Sequence, residues 1–394
     1  MREDGHTHLA VARLRRTLGR CLLALALLGL AACSGAGAAD EEFRIGLLAP
    51  VTGTAQAYTG HLWAERLVAQ VNAQGGLDVG GRKLKVRLLV EDTGGQVERT
   101  LSTAVRLIRQ ERVAALVGPY YSRGAIPVAN ATEAAQVPMV SPTASNPQVT
   151  LGRKYAFRVC LVDTVQGRFM ARYAFHVLGL RSVAVLYDES DTYPKGLARC
   201  FAEAFAALGG KVVAQEGYPG GAADFSTQLG RIRAAKAQAL YLPNYAQDVV
   251  LQMVQARAAG FGGVFLGGDS WEEGTSVLES PAAQGSFFTA NFAHGLMGEA
   301  ARRQAERLEA VAGVPLDSDG AMMLDALGVV LAAAQAVGSV DPVSLRAGIA
   351  SLRGYEGFSG RLSFEQGGDA QRSAHILGIE GGQARSRKEL GPGQ

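Results

Sequence analysis

The fold is decided by one stretch, RSVAVLYDESDTYPKGLARCFAEAFAALGGKVVAQE, which runs from Arg181 to Glu216. Its two ends, Ser182–Tyr187 and Lys211–Glu216, are short valine-containing runs that predict β-strands. Between them, Lys195–Leu208 places apolar residues at helical spacing. A helix of this length between two strands is a crossover connection, so the two strands are expected to be parallel.

The same alternation of strand and helix extends along the chain from Phe43. Further strands are predicted at Phe43–Leu48, Leu84–Glu91, Val113–Val117, Ala239–Leu242 and Val264–Leu266. Further helices are predicted at His61–Asn72, Val97–Glu111, Gln166–Leu178, Phe225–Ala235 and Asp248–Ala259. The strands are nearly continuous apolar runs, which is typical of strands buried on both faces. The pattern therefore predicts an α/β protein with parallel sheets covered by helices.

Units of this kind can also close into a single barrel, but two interruptions favour two doubly wound lobes. The alternation restarts at Tyr155–Asp163 after a proline-rich loop, and it lapses near Gly285–Asn291. The lapse is followed by three helical stretches, Glu299–Val311, Ala321–Val337 and Pro342–Leu352. A final strand pair near Phe358–Phe364 and Ala374–Ile379 is expected to return to one lobe. The chain is thus predicted to cross between the lobes three times.

The predicted boundaries follow from these interruptions. We predict a signal peptide at residues 1–32, a tether at 33–42 and a C-terminal tail at 385–394. The N-terminal lobe consists of residues 43–160 and 290–356, and the C-terminal lobe of 161–289 and 357–384.

The net charge of the chain comes from its first residues. The 394 residues include 39 lysines and arginines against 36 acids, a formal charge of +3. Residues 1–32 contain five arginines and two acids, so the remainder has 34 basic and 34 acidic residues. A neutral mature chain gives no compositional support for nucleic-acid binding, which we therefore do not expect.

The N-terminal segment has the form of an export signal. Arginines between Arg13 and Arg20 precede an apolar run, Cys21–Ala32, that is too short to span a bilayer. The sequence Leu30-Ala31-Ala32-Cys33 resembles a bacterial lipobox, in which the cysteine is lipidated. The alternative is an ordinary signal peptide cut at small residues, with Cys33 incidental. The lipobox predicts a protein at the periplasm or cell-envelope surface, anchored to the membrane through Cys33.

Two cysteines remain in the mature chain after Cys33, namely Cys160 and Cys200. An oxidising compartment would permit a disulfide between them. Two separately buried thiols are the alternative, and we favour it.

Signatures of enzymes are largely missing from the sequence. The mature histidines His61, His176, His294 and His375 lie far apart, without metal-ligand spacing, so neither a metal nor a catalytic triad is expected. The glycine-rich run Gly75–Gly81 follows a predicted helix rather than a strand, which argues against a dinucleotide site. The sequence predicts neither a cofactor nor a catalytic activity.

Two polar loops follow predicted strands in the first lobe. The loop Val117–Ser122 joins a strand to a helix, and the loop Val140–Pro147 contains Ser141, Thr143 and Ser145. Hydroxyls and free backbone amides at such junctions can bind an anion. Helix capping and turn formation explain either loop alone equally well. Two such loops at the carboxyl edge of one sheet favour a ligand site, because open α/β sheets bind ligands there.

The second lobe offers three more side chains after predicted strands, namely Tyr193, Tyr245 and Asp269. Taken singly, each is more often a solvated loop residue. Together they provide flat aromatic surfaces with hydroxyl rims and an acid that can face a cation. Donors on one lobe and an acid on the other suit a zwitterion.

At these residues the sequence resembles the periplasmic leucine/isoleucine/valine-binding protein family, the substrate-binding subunits of branched-chain amino-acid ABC transporters. The resemblance runs from about Phe43 to Ile379. It is most specific in Ile45–Gly60, Val117–Pro147, Phe157–Gly167, Tyr187–Gly196 and Leu266–Asp269. It implies a type I periplasmic binding fold, in which a cleft between two lobes closes on the ligand.

The resemblance also implies roles for first-lobe residues. Ser122 and Ser145 stand where the family has hydroxyl donors to the α-carboxylate of the ligand. Thr143 and Ala144 would contribute mainly backbone groups, and Tyr58 would flank the ligand side chain.

In the second lobe, the resemblance makes Asp269 the partner of the α-ammonium and Tyr193 and Tyr245 the aromatic lid. Three departures bear on the ligand. Tyr120-Tyr121 stands where some members have a cysteine, Asp269 is shorter than the Glu of some relatives, and Pro243-Asn244 replaces a glycine-rich pair. The zwitterion site is retained, whereas a strictly branched-chain side-chain pocket is not implied.

The resulting expectation is a monomeric substrate-binding lipoprotein of an ABC importer that captures an amino acid, branched-chain or similar, and presents it to an inner-membrane permease. Hinge motion is expected near Cys160–Asp163, Thr289–Asn291 and Phe358–Gly360. A sensor that presents its ligand to a signalling receptor, or a binder of another small amide or carboxylate, remains an alternative.

Overall fold

The architecture was taken from a computed structural model, which describes residues 42–52, 58–272, 276–292, 297–364 and 367–391. The predicted signal peptide, the tether as far as residue 41 and the predicted lipidation site Cys33 lie outside the described residues.

Fifteen strands are assigned among the described residues. Those of the first half are β1 Glu42–Ala49, β2 Leu77–Val79, β3 Arg82–Asp92, β4 Ala115–Val117, β5 Met139–Ser141, β6 Ala156–Arg158 and β7 Ser182–Asp188. The others are β8 Lys211–Tyr218, β9 Ala239–Leu242, β10 Val264–Gly267, β11 Phe287–Ala290, β12 Tyr355–Gly357, β13 Gly360–Leu362, β14 Ala374–Glu380 and β15 Gln383–Leu390.

Helices connect most of these strands. Those of the first half are α1 Gly60–Ala73, α2 Val97–Arg109, α3 Ser122–Ala135, α4 Asp163–Arg172, α5 Thr192–Ala207 and α6 Ser226–Ala234. The others are α7 Ala246–Ala258, α8 Ser276–Glu279, α9 Glu299–Ala312, α10 Ser318–Val337 and α11 Pro342–Ser351.

The segment Arg181–Glu216 forms the expected β-α-β unit. Strand β7 pairs parallel with β8, and α5 crosses between them with Leu197, Phe201 and Phe205 buried. The helix starts earlier than predicted because the Asp191 carboxylate accepts a hydrogen bond from the Tyr193 N–H at 3.0 Å, which caps its first turn. Gly209, with a φ of +90°, ends the connection in a conformation that favours glycine.

Thirteen of these strands form two main sheets, one in each lobe, and β12 and β13 form a separate hairpin. The two main sheets confirm the two-lobe prediction and exclude the barrel. The first sheet has the order β2-β3-β1-β4-β5-β6, and β1, β4, β5 and β6 are parallel neighbours. The second has the order β15-β14-β11-β10-β9-β7-β8. Strands β7 to β11 are parallel to one another, and β14 pairs antiparallel with both β11 and β15.

Apolar side chains cover both faces of each sheet, as the continuous apolar runs predicted. In β1, Ile45 and Leu47 pack in one core while Leu48 packs in another on the opposite face. In β7, Val183 and Leu186 likewise pack in two different cores, one on each face of the second sheet. Helix α10 is long and apolar enough to cross a membrane by composition, but it is largely buried in the first lobe. It is therefore a core helix.

The chain passes between the lobes at three places. Cys160 packs in the first-lobe core, whereas Leu161, the next residue, packs in the second. Ala290 belongs to the second lobe and Phe292 to the first. The predicted third crossing at 356/357 is wrong, because Phe364 still packs in the first-lobe core.

The C-terminal region differs from the prediction in two further ways. The expected pair of Phe358–Phe364 with Ala374–Ile379 does not form, because Gly360–Leu362 turns back on β12 in a hairpin. Strand β14 pairs instead with β11 and β15. The predicted tail boundary at residue 385 falls inside β15, since the chain as far as Leu390 continues the sheet.

Both remaining cysteines, Cys160 and Cys200, are buried free thiols. Burial raises the pKa of Cys200 to about 11, so it is protonated and unreactive at neutral pH. The favoured alternative of two separate thiols is the one observed.

A buried arginine ties the three crossings together. The Arg372 guanidinium donates to the Val159 carbonyl at 2.9 Å, to the Ser359 carbonyl at 2.9 Å and to the Asn291 carbonyl. Arg372 itself lies in the third crossing, which runs between Phe364 of the first-lobe core and Ala374 of the second-lobe core. The carboxylate of buried Asp325 is its main electrostatic partner and also accepts hydrogen bonds from the backbone of Phe358 and Ser359. One charged group thus holds together the segments that connect the two lobes.

We predict that Arg372→Met lowers the free energy of unfolding by about 3–5 kcal/mol, because it leaves three carbonyls and the buried Asp325 without their cation. The urea midpoint followed by circular dichroism measures this loss. The control is Arg385→Met on β15, where the arginine side chain is 61% exposed, and its effect should stay within about 0.5 kcal/mol. Equal midpoints for the two variants would contradict the assigned role.

Candidate functional site

The site lies where the carboxyl ends of the two sheets meet. In the first sheet the strand order reverses between β1 and β4, and in the second between β7 and β9. Loops that leave parallel strands on either side of such a reversal diverge and leave a crevice. The residues after β4 and β5 face those after β7, β9 and β10 across this crevice.

The crevice is a cavity of about 420 Å³, a volume that includes its part open to solvent. The first lobe lines it with Tyr120, Tyr121, Ser122, Thr143, Ser318, Asp319 and Met322. The second lobe lines it with Tyr193, Tyr245, Asp269, Ser270 and Glu272, and the second crossing adds Asn291.

Five of the eight predicted ligand-binding residues line this cavity, namely Ser122, Thr143, Tyr193, Tyr245 and Asp269. The structure thus brings together strand ends that are far apart in the sequence, as the zwitterion hypothesis requires.

The other three predicted residues lie behind the cavity wall. Tyr58 is buried with its ring edge-on to Tyr120 at 4.9 Å, so it supports a wall residue. The Ala144 N–H donates to the Ser141 hydroxyl and its carbonyl accepts from Arg158, so its backbone is already occupied. Ser145 is fully buried, and its carbonyl accepts from the Asp163 N–H. A direct contact of Ala144 with a ligand is therefore not supported.

The second-lobe acid is held by a buried hydrogen-bond network. Asp269 accepts from the Tyr193 hydroxyl at 2.9 Å and from the Asn291 amide at 2.7 Å. Its own N–H donates to Gln166, which also accepts from Thr289 at 2.8 Å. Burial raises the pKa of Asp269, and the hydrogen bonds act against this. The carboxylate is thus fixed in position inside a site that favours a cationic partner.

The first-lobe loop is held from behind by another buried arginine. Arg158 donates to the carbonyls of Ala144 and Asn146 at 2.7 and 2.8 Å and to the Thr150 hydroxyl at 2.7 Å. In front, the Ser122 hydroxyl accepts from the Asn146 N–H at 3.2 Å. Because that oxygen accepts, its own proton remains directed elsewhere and can be donated to an anion.

Two acids in the cavity were not predicted. Glu272 ends the short turn that begins at Asp269, and it accepts from the Ser318 hydroxyl at 2.9 Å. Asp319 lies in the first turn of α10 and accepts from the Tyr120 hydroxyl at 2.8 Å. The proximity of Glu272 to Asp269 in sequence was an available signal. No comparable signal in the sequence pointed to Asp319, because this residue lies at the start of a helix rather than at the end of a strand.

Both acids are perturbed by their surroundings. Burial raises the pKa of Glu272 to about 8, the bond from Ser318 acts against this, and the charge of Asp269 adds to it. Burial likewise raises the pKa of Asp319 to about 7, with the charge of Asp317 adding and the Tyr120 bond opposing. Carboxyl groups with such values in a cleft are typical of functional sites.

Direct contacts join the two lobes at the mouth of the cavity. Arg123 of α3 forms an ion pair with Asp191, the cap of α5, and its guanidinium lies 4.2 Å from the ring centre of Tyr121. The rings of Tyr121 and Tyr245 meet edge to face at 5.3 Å across the lobes. The Asn146 amide also donates to the Thr192 carbonyl at 2.9 Å. These contacts close the cleft around the cavity.

Within the part of the chain that the structure describes, no cluster of histidine, cysteine, aspartate and glutamate has the arrangement of a metal site.

Two α/β lobes that face each other across a polar cavity at their strand ends define a two-lobe ligand-binding protein. The chain belongs to the periplasmic binding protein family, whose sequence profile matches residues 42–383. Membership of this family implies a location outside the cytoplasm, and its members are substrate-binding proteins rather than enzymes.

Individual relatives agree with this assignment. A Leu/Ile/Val-binding protein homologue of Brucella melitensis is 30% identical over 78% of this chain and 82% of that protein. An amino-acid-binding protein of Pseudomonas aeruginosa is 32% identical over 63% of this chain, and the match spans 65% of that protein, slightly under two thirds. The solved structure of a leucine-binding protein from Thermotoga maritima superposes with a TM-score of 0.81, at 30% identity over 89% of this chain and 99% of that one.

Proposed function

We propose that the protein captures an amino acid outside the cytoplasm and delivers it to the permease of an ABC importer. The observation that carries the proposal is the pairing, across one cavity, of hydroxyls on the first lobe with the buried carboxylate of Asp269 on the second. The names of its relatives, which refer to amino acids that those proteins bind, support the same substrate class.

The arrangement suits the main-chain atoms of an amino acid. The hydroxyl of Ser122 supplies a donor for an α-carboxylate, and Asp269 supplies the acceptor for an α-ammonium. Burial raises the pKa of Asp269, so an ammonium group that enters the site restores the charged form and gains a charge-assisted hydrogen bond. Tyr193 and Tyr245, whose ring centres lie 5.3 Å apart, cover this end of the ligand.

Closure of the lobes is the step that we propose retains the ligand. The mouth of the cleft is bridged by Arg123 and Asp191, and the crossings near Cys160, Asn291 and Arg372 provide the hinge. Removing water from the closed site strengthens every polar contact within it. The closed form is the one that a permease would recognise.

The leader completes the proposal. Cys33 is the site of a lipid anchor, which would hold a monomeric binding protein close to its permease in the membrane.

We predict that Asp269→Asn weakens amino-acid binding by roughly 30-fold or more, because the α-ammonium loses the carboxylate that we propose as its partner. Isothermal titration against the twenty amino acids measures the effect. The control is Glu203→Gln, an exposed acid on α5, which should bind like the parent protein. A parent protein that gives no heat with any amino acid would overturn the proposed function.

The bridge at the cleft mouth generates a kinetic prediction. Asp191→Asn keeps an oxygen to cap α5 but removes the charge that pairs with Arg123. We expect ligand release to become roughly 3- to 10-fold faster, with association little changed, because affinity changes at an interface act mainly on dissociation. Stopped-flow fluorescence of Trp271, two residues from Asp269, follows the rate. An unchanged release rate would show that the bridge does not stabilise the closed form.

A third prediction concerns the anchor. In cells, the parent protein should fractionate with membranes and Cys33→Ser should appear in the soluble envelope fraction, since the serine cannot carry the lipid. Cell fractionation with immunoblotting provides the measurement, and Cys160→Ser, at a buried thiol, is the matched control. Identical distributions of the parent and Cys33→Ser would favour the ordinary signal peptide.

A further inference from the structure

The cavity contains more carboxyl groups than the main-chain atoms of an amino acid require. An α-ammonium needs one carboxylate, which Asp269 supplies under the proposed function. Glu272 and Asp319 line the same cavity and are additional to it. Both acids therefore face any ligand that occupies the cavity.

Both additional acids are fixed in place at the boundary between the lobes. Glu272 belongs to the second lobe but accepts from Ser318 of the first at 2.9 Å, and from the Asn291 N–H of the second crossing at 3.3 Å. Asp319 belongs to the first lobe and is held by the Tyr120 hydroxyl at 2.8 Å. A group between them would contact both lobes at once and would stabilise the closed form.

No protein cation neutralises this end of the cavity among its described lining residues, which include no lysine, arginine or histidine. Outside the lining, the buried Arg372 interacts electrostatically with Glu272 and Asp269. Its N–H groups, however, donate to the carbonyls of Val159, Ser359 and Asn291, and Asp325 is its principal acid. Arg123 is paired with Asp191 at the mouth.

An apolar side chain fits this chemistry poorly. A leucine side chain would remove the water from Glu272 and Asp319 without offering a hydrogen bond in exchange, and burial of uncompensated polar groups is costly. Tyr120 presents its hydroxyl to Asp319, so this wall is polar as well. A positively charged donor would satisfy both acids.

We propose that the ligand is an amino acid with a cationic side chain, whose terminal ammonium or guanidinium group binds between Glu272 and Asp319. This inference rests on the proposed function, because it uses Asp269 and Ser122 for the α-ammonium and α-carboxylate. It assigns Glu272 and Asp319 as specificity-determining residues.

The first test compares ligands on the unaltered protein by isothermal titration. L-Lysine and L-norleucine have side chains of nearly the same shape, and only lysine carries the terminal ammonium. We expect lysine or arginine to bind roughly 30-fold or more tightly than norleucine, leucine or valine, because a buried, hydrogen-bonded charge pair forms only with the former.

The second test uses near-isosteric variants, Glu272→Gln and Asp319→Asn. Each should weaken lysine binding by roughly 30-fold or more and leave norleucine binding unchanged or stronger. Glu203→Gln is the matched control on the exposed surface. Melting temperatures of all variants check folding, and the comparison of ligands on the unaltered protein does not depend on the variants.

Proton release gives an independent readout. Both acids have raised pKa values of about 8 and 7, so in the free protein near pH 7 they are largely or partly protonated. The groups that face them are Asp269, Ser318 and Arg372 for Glu272, and Asp317 and Tyr120 for Asp319. A cation favours their ionised forms, so lysine should release more protons than norleucine, and its affinity should rise from pH 6 to 8.5.

The outcomes separate the two proposals. Leucine or norleucine binding as tightly as lysine, or lysine binding that is insensitive to both substitutions, overturns the cationic side chain and leaves amino-acid capture standing. No binding of any amino acid to the unaltered protein overturns the proposed function, and with it this inference.

Discussion

The hydrogen bonds of one buried guanidinium hold the three chain crossings in register, and the geometry of the cleft depends on them. Arg372 binds the carbonyls of Val159, Asn291 and Ser359, so segments far apart in sequence meet at a single charge. A buried cation without partners is costly, which requires these carbonyls and Asp325 to stay in place. Asn291 in turn donates to Asp269. The chain crossings and Asp269 are therefore parts of one hydrogen-bond network.

Hydrogen bonds from neighbouring groups also explain why the cavity can contain three carboxyl groups. Each is fixed by donors from rigid neighbours, which are Tyr193 and Asn291 for Asp269, Ser318 for Glu272 and Tyr120 for Asp319. Burial disfavours their ionised forms, so the empty site favours bound protons and the filled site favours a ligand's cations. Preorganised acids of this kind make selectivity a property of the scaffold rather than of mobile side chains.

Local patterns in the sequence were sufficient for the lobes and for five residues of the site, because strand ends in parallel sheets converge and can be located from periodicity alone. They were insufficient where a residue's role depends on tertiary placement. Asp319 starts a core helix and reaches the cavity only because α10 packs beneath the first sheet. Ala144 was predicted to contact the ligand, but its backbone is occupied by Ser141 and Arg158. The third crossing was predicted too early in the chain because a local strand pairing was not anticipated. Residues Gly360–Leu362 pair with the preceding strand β12 in a hairpin, so the chain does not leave the first lobe there.

A crystal structure of the protein with bound L-lysine tests the central claim most directly. We expect the α-carboxylate to lie near Ser122, the α-ammonium to contact Asp269, and the terminal ammonium to lie within hydrogen-bond distance of Glu272 and Asp319. A ligand whose terminal group points into solvent, or whose main-chain atoms avoid Asp269, would contradict it.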